Sequence, residues 1–219
     1  MKIVVFSDLH SNIYALKNLV EKEGRDAQYI CNGDLIGYLP YNNECIEFFT
    51  KLNYIWVRGN HEQMFINGKY DDNCSPLAKE FFGYSFKFYD KKYDPFLENT
   101  IENFKVGDYI CQHTLQNKYL YPNTDFESLN IKGKYIIGHS HIQFQKKNEN
   151  LEIINTGSLG QNRKNLSKCE YLIIENNEIV LKYILINFDK LFKELLVYNY
   201  PINLIEYYLK ILNCKENNC

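Results

Sequence analysis

No Cys-x-x-Cys pair occurs in this chain, although it carries seven cysteines, and that number is odd. A thiolate zinc site and a disulfide framework both need paired spacings, so neither is expected. Cys31, Cys45, Cys74, Cys111, Cys169, Cys214 and Cys219 are read as free thiols in a reducing cytoplasm, with Cys31 and Cys111 closing apolar runs as small core residues. No segment reaches the apolar length of a membrane span. The stretch Met1–Asp8 is too short in its apolar part for a signal peptide, so a cytoplasmic protein with no membrane partner is expected. A bulk charge of one sign is missing too. The formal net charge is −2, which gives no general attraction to nucleic acid or to an anionic surface. No stable nucleic acid partner is expected, and an anionic substrate must be drawn by local charge. Internal repeats, low-complexity blocks and linkers are also absent.

What is present begins with alternating strands and helices. The 219 residues are enough for one sizeable core. Lys2–Ser7 is a β-branched apolar run that reads as a buried strand. Ile13, Leu16, Leu19 and Val20 follow at helical spacing, with Gly24 as a stop. Ala27–Cys31 reads as a strand, Glu44–Leu52 as a helix and Tyr54–Val57 as a third strand. That order is the mark of a layered α/β sheet. Between His61 and His113 the rhythm breaks. Pro76 opens an aromatic-rich segment through Phe81, Phe82, Tyr84, Phe86, Phe88 and Tyr89, which is read either as a helix packed on the sheet or as a lid over a pocket. Strands are then expected at Thr100–Phe104, Tyr109–Gln112, Tyr135–Gly138, Gln143–Lys147, Leu151–Asn155, Tyr171–Glu175 and Ile179–Leu185, like a second sheet facing the first. Two helices end the chain, one through Phe188, Leu191, Phe192, Leu195 and Leu196 and one through Leu204, Ile205, Tyr208, Leu209 and Leu212, with Pro201 between. Residues 1–186 are read as the domain and 187–219 as a helical appendage folded back on it.

Each of the five histidines lies just past a strand-like run. The fragments are Asp8-Leu9-His10, Gly33-Asp34, Gly59-Asn60-His61, a lone His113, and Gly138-His139-Ser140-His141. Singly they are weak signals, since a Gly-Asp turn is usually only a turn. Together they are the oxygen and nitrogen donors that two neighbouring metal ions need, held where active sites of α/β proteins collect. Residues two apart in an extended segment face one side, so His139 and His141 are expected to face one pocket roughly 7 Å apart. Ions about 3.5–4 Å apart could be served by such a pair.

These motifs resemble those of the calcineurin-like metallophosphoesterases, over Lys2 to about Asp189. Gly33-Asp34-Leu35-Ile36-Gly37-Tyr38, Ser75-Pro76-Leu77-Ala78 and Asn155-Thr156-Gly157-Ser158 are similar to a group of small prokaryotic phosphodiesterase-like members. The resemblance implies an α/β fold (α+β by some schemes): a two-sheet β-sandwich flanked by helices. It implies that Asp8, His10 and His141 hold one metal, that Asn60, His113 and His139 hold the other, and that Asp34 bridges them. His61 would be the catalytic acid towards the leaving group. A metal-bridging hydroxide would attack phosphorus in line, as in other two-metal hydrolases. Two divalent ions are expected, manganese first, with Fe, Zn, Ni or Co also fitting donors that include no sulfur.

Asn12, Tyr38, Arg58 and Arg163 lie near the motifs and are candidate contacts for a small phosphoester substrate. Three positions depart from the family pattern: Thr156 stands where a proline is usual, Thr114 where a glycine often is, and Glu62 where an aspartate is. None removes a ligand. The leading expectation is a phosphodiesterase. A phosphomonoesterase or protein phosphatase, a dinucleoside polyphosphate hydrolase, and a non-catalytic interaction module of the same fold are the alternatives. Oligomeric state is not legible.

Overall fold

The computed structural model describes residues 1–213, so Cys214, Cys219 and the end of the expected appendage lie outside the described residues. Strand β1 (Ile3–Phe6), helix α1 (Ile13–Glu23), β2 (Gln28–Asn32), α2 (Asn42–Phe49) and β3 (Asn53–Val57) follow the expected alternation. Helices α3 (Asn60–Asn67), α4 (Pro76–Ser85) and α5 (Asp94–Glu98) come next. The strands β4 (Phe104–Val106), β5 (Tyr109–Cys111), β6 (Gly133–Ile137), β7 (Gln143–Lys147), β8 (Leu151–Thr156), β9 (Lys168–Glu175) and β10 (Glu178–Leu185) precede α6 (Phe188–Val197) and α7 (Ile202–Asn213).

Two five-stranded sheets face each other. The first has the order β10-β9-β1-β2-β3 and the second β4-β5-β6-β8-β7. Each has a parallel centre, β1-β2-β3 in one and β5-β6-β8 in the other, extended by antiparallel strands. Strand alternation divides the core. Val5, Ile30 and Leu172 face the second sheet and pack with Cys111, Ile136 and Ile154. Val4, Phe6, Tyr29 and Tyr171 point the other way, into the layer of helices. Phe188, Leu191, Leu195, Leu204, Ile205 and Tyr208 of α6 and α7 belong to that same buried cluster.

Three expectations are corrected. The strand-rich second half does not make one sheet, because β9 pairs antiparallel with β1 and carries β10 into the first sheet. The strand expected at Thr100–Phe104 forms at Phe104–Val106. Ile101 instead makes a single bridge to Val57, and Thr100 is held by Arg58. Helix α3 was not expected, since its eight residues carry too few apolar positions for a clear period. The aromatic segment is packed: Phe81, Phe82 and Tyr84 are buried, and Phe82 stacks on Phe86 with centroids 5.1 Å apart. Cys31 and Cys111 are fully buried, and the five described cysteines are unpaired. No described helix is long and apolar enough to cross a membrane.

Candidate metal centre

Every motif follows the C-terminal end of a parallel strand. Asp8 and His10 follow β1, Asp34 follows β2, Asn60 follows β3, His113 follows β5, and His139 and His141 follow β6. The two sheets bring these ends to one edge. There Asp8–His10–His141, His10–Asp34–His61 and Asp34–His113–His139 form three groups, and within each group the ligand atoms lie within 4.8 Å of one another.

Asp34 belongs to two of these groups, and His10 links them to the third. Asp34 Oδ2 lies 3.2 Å from His113 Nε2 and 4.0 Å from His10 Nε2, while Asp34 Oδ1 accepts from the His61 backbone N–H at 2.9 Å. His141 Nε2 is 3.3 Å from Asp8 Oδ1 and 3.1 Å from His10 Nε2. Asn60 Oδ1 lies 3.2 Å from His113 Nε2.

The tautomers of two rings follow from their outer contacts. His141 Nδ1–H donates to the Gln161 carbonyl at 2.8 Å and His113 Nδ1–H to the Asn32 carbonyl at 2.9 Å. Both then turn an Nε2 lone pair inward, the usual support for a metal-bound imidazole. His113 Nε2, Asn60 Oδ1 and Asp34 Oδ2 thus face each other as acceptors with no donor among them. Such a set needs a cation or a proton, and its N and O chemistry fits a divalent ion.

The titration of the ion-free cluster reflects the same demand. Burial pulls His113 down, yet the Asp34 charge and hydrogen bond push it up to about 10. Burial raises Asp34, but His113 and His61 hold it well below the carboxylate range. Burial also raises Asp8, and there the rings of His141 and His113 outweigh it. Burial, with the nearby His113, takes His139 down to about 3. Burial lowers His10 strongly, aided by His61 and His141. For His61, burial lowers the ring and Asp34 opposes it.

The backbone here is under local strain. Asp8, His10, Asp34, His139 and His141 all have positive φ, between 48° and 69°, as do Ser11 and Tyr38. Non-glycine residues in that region cost on the order of 1 kcal/mol each and gather at functional sites. His139 and His141 are therefore not neighbours on one face of an extended strand, as their spacing suggested. A left-handed turn sends His141 to His10 and His139 to His113. Asn155 pins that turn, donating to the Gly138 carbonyl and to Ser140 Oγ.

Of the four candidate substrate contacts, two are turned to other work. Asn12 is fully buried; it caps α1 by accepting from Ala15 N–H and donates to the Gly160 carbonyl. Arg58 donates to Thr100 Oγ1 and to the carbonyls of Glu98 and Thr100, and pairs with Glu102. Tyr38 lies against His10 with centroids 4.3 Å apart, and Arg163 is exposed. His61 shares a group with His10 and Asp34, and its buried Nδ1 has no partner. It sits where a side chain on Gly37 would be, so that glycine makes room for the ring.

Glu62 is a residue whose role the sequence did not suggest. Fully buried, it accepts from the backbone N–H groups of Asp34, Leu35 and Gly59 at 2.8–2.9 Å, tying the loop after β2 to the loop after β3. Burial and the Asp34 charge push its carboxyl up to about 7 against those donors.

Comparison with known proteins agrees with this architecture. A model of the calcineurin-like phosphoesterases matches residues 1–187. An uncharacterized protein of Methanocaldococcus jannaschii is 27% identical over 213 residues, covering 85% of this chain and 88% of that protein. A metallophosphoesterase from Sphaerobacter thermophilus superposes with a TM-score of 0.77 at 21% identity, over 94% of this chain and 97% of the other. A hypothetical protein from Pyrococcus horikoshii does so at 0.72 and 13%, over 94% and 96%. The chain belongs to the calcineurin-like phosphoesterase family and is a metal-dependent phosphoester hydrolase.

Proposed function

We propose that the protein is a two-metal phosphodiesterase. The observation that carries this reading is the position of Asp34 Oδ2 between the His10 and His113 nitrogens, which gives one carboxylate to two adjoining donor sets. Asp8, His10 and His141 would hold one ion, and Asn60, His113 and His139 the other, with manganese the first choice. When bound, two divalent ions supply positive charge for the phosphoryl oxygens and bring the pKa of water towards neutrality.

The protein's own groups do the rest. His61 Nδ1 is buried without a partner, and a bare lone pair there is better tolerated than an orphan N–H. Its proton is thus placed on Nε2, the nitrogen left to meet the leaving oxygen. Tyr38, packed on both His10 and His61, fixes the ring that must deliver it. Glu62 holds the Asp34 and Asn60 loops in register. With Arg58 engaged elsewhere, Arg163 is the guanidinium left at the rim, which suits the single charge of a diester.

The test is a hydrolysis panel with added manganese. It compares an aryl diester, an aryl monoester, a cyclic dinucleotide and a dinucleoside tetraphosphate. The expected result is the highest kcat/KM on a diester, and preference for the monoester would overturn the reading.

A further inference from the structure

The aromatic rings beside the cluster differ in what they leave free. Tyr38 has His10 against one side and Phe81 against another, each with centroids 4.3 Å away. It is a wall. Tyr119 stacks on His139 with centroids 3.8 Å apart and an interplanar angle of 25°, yet remains 51% exposed. About half of the residue is thus open to solvent while its ring lies against a candidate ligand. Arg163 is exposed and lies two residues after Gln161, whose carbonyl holds His141. It forms no ion pair with the described residues. The hydroxyls of Tyr38, Tyr119 and Tyr121 donate to no described acceptor. Tyr14, Tyr41, Tyr84, Tyr171 and Tyr200, by contrast, all donate to protein oxygens.

The far side of this rim is supplied by α7. Tyr207 packs on Phe81, and Tyr208 accepts from Gln161 Nε2, two residues before Arg163. A half-exposed stacked ring, an unpaired guanidinium and uncommitted hydroxyls beside the candidate metal cluster match a ligand with a flat ring, a charged phosphate and a polar sugar.

We propose that Tyr119 is a stacking platform for a nucleobase and that Arg163 accompanies it at the phosphate, so that the substrate class is the nucleoside phosphodiester rather than diesters of simple alcohols. This rests on the diesterase reading above. Stacking of a base on an aromatic side chain is sequence-tolerant, so the platform selects for a base without selecting which one.

The test compares two diesters with one leaving group: the p-nitrophenyl ester of thymidine monophosphate and methyl p-nitrophenyl phosphate. With manganese, kcat/KM is expected to favour the thymidine ester by about tenfold or more. The ratio should fall to within about twofold in Tyr119→Leu and persist in Tyr119→Trp. A ratio near unity in the wild type, or one unchanged in Tyr119→Leu, overturns the proposal. Binding of thymidine monophosphate and of methyl phosphate to the manganese-loaded protein separates the two levels of inference. Tight, Tyr119-dependent binding of the nucleotide without diester turnover would support the platform and sink the diesterase. Equal binding of the two would sink the platform.

Discussion

Asp8, His10 and His141 occupy the closed end of the site, where each is at most 5% exposed, whereas Asn60 and His139 at the other end are only partly buried. The supports differ as well. At the closed end His141 leans on the Gln161 carbonyl, and Gln161 is tied to Tyr208 of α7. At the open end His113 leans on the Asn32 carbonyl, and the Asn32 side chain crosses between sheets to the carbonyls of Gln112 and Ile136. All three closed-end residues adopt positive φ, against His139 alone at the open end. One half is thus strained and braced by the tail helix, and the other is braced by the sandwich itself. The halves share Asp34, and Glu62 locks its loop to the loop of Asn60.

The largest effect should come from abolishing what the halves share. Asp34→Asn keeps the size of the side chain and removes the charge, so both donor sets lose their common anion. Turnover is expected to fall by at least about a thousandfold, and metal content measured after dialysis should drop in both sets. Unchanged stoichiometry would contradict the shared role. The next test concerns His61, which proximity alone does not separate from the ligands. His61→Ala is expected to retain metal while losing roughly a hundredfold to ten-thousandfold in kcat, the range for a general acid. Loss of metal in that variant would move His61 into the closed half as a ligand.

How much of this contrast could be read beforehand follows from the physics of each element. The strands β1 to β3 were legible because β-branched runs ending in Ser7-Asp8, Gly33-Asp34 and Gly59-Asn60 carry both the strand and its functional end. The gathering of the seven candidate donors and His61 at one sheet edge was legible for the same reason. Helix α3 was not, because its buried face comes down to Met64 and Phe65 with His61 and Glu62. The return of β9 to the first sheet was hidden, since a strand's own pattern does not name its partner. The left-handed turn at His139 and His141 was hidden too, because an Asn, Asp or Gly would have announced it and histidine does not. Arg58 and Asn12 were misplaced for a third reason: nearness in sequence to a motif does not say which way a side chain turns.

Protons should distinguish the halves in the ion-free protein. His113 is raised to about 10 from 6.5, so its contribution to stability is fully present below 6.5 and is lost as pH rises towards 10. His139 is lowered from 6.5 to about 3, so it stays neutral while the unfolded chain takes up a proton, and stability falls as pH drops below 6.5. The depressed Asp8 and Asp34 carboxyls add stability above the ordinary carboxylate value of 3.8 that is lost on further acidification. Melting temperatures of chelator-stripped protein are therefore expected to peak near neutrality. Manganese binding at about pH 8 should release roughly one proton, that of His113, as seen by calorimetry in buffers of different ionisation enthalpy. Zero proton release would mean that His113 is not displaced, and the open half would lose its principal ligand.

The smallest effect expected is the one that touches the closed half alone. Tyr208 is fully buried among Phe81, Phe188 and Tyr200, so Tyr208→Phe keeps the ring and its packing. What goes is the oxygen that receives Gln161 Nε2 at 3.0 Å. An unmet buried donor costs about 1–3 kcal/mol, and Gln161 can recover part of that by shifting its side chain. Its carbonyl, which sets the His141 tautomer, moves with it. Loss of such outer support weakens metal sites by about 10–100-fold, and this contact is one step further out, so a weakening of about tenfold or less is expected. Titrating stripped Tyr208→Phe with manganese should then resolve one weakened site and one unchanged site. Equal weakening of both would mean that α7 braces the whole cluster, and the division between a tail-braced half and a sandwich-braced half would fail.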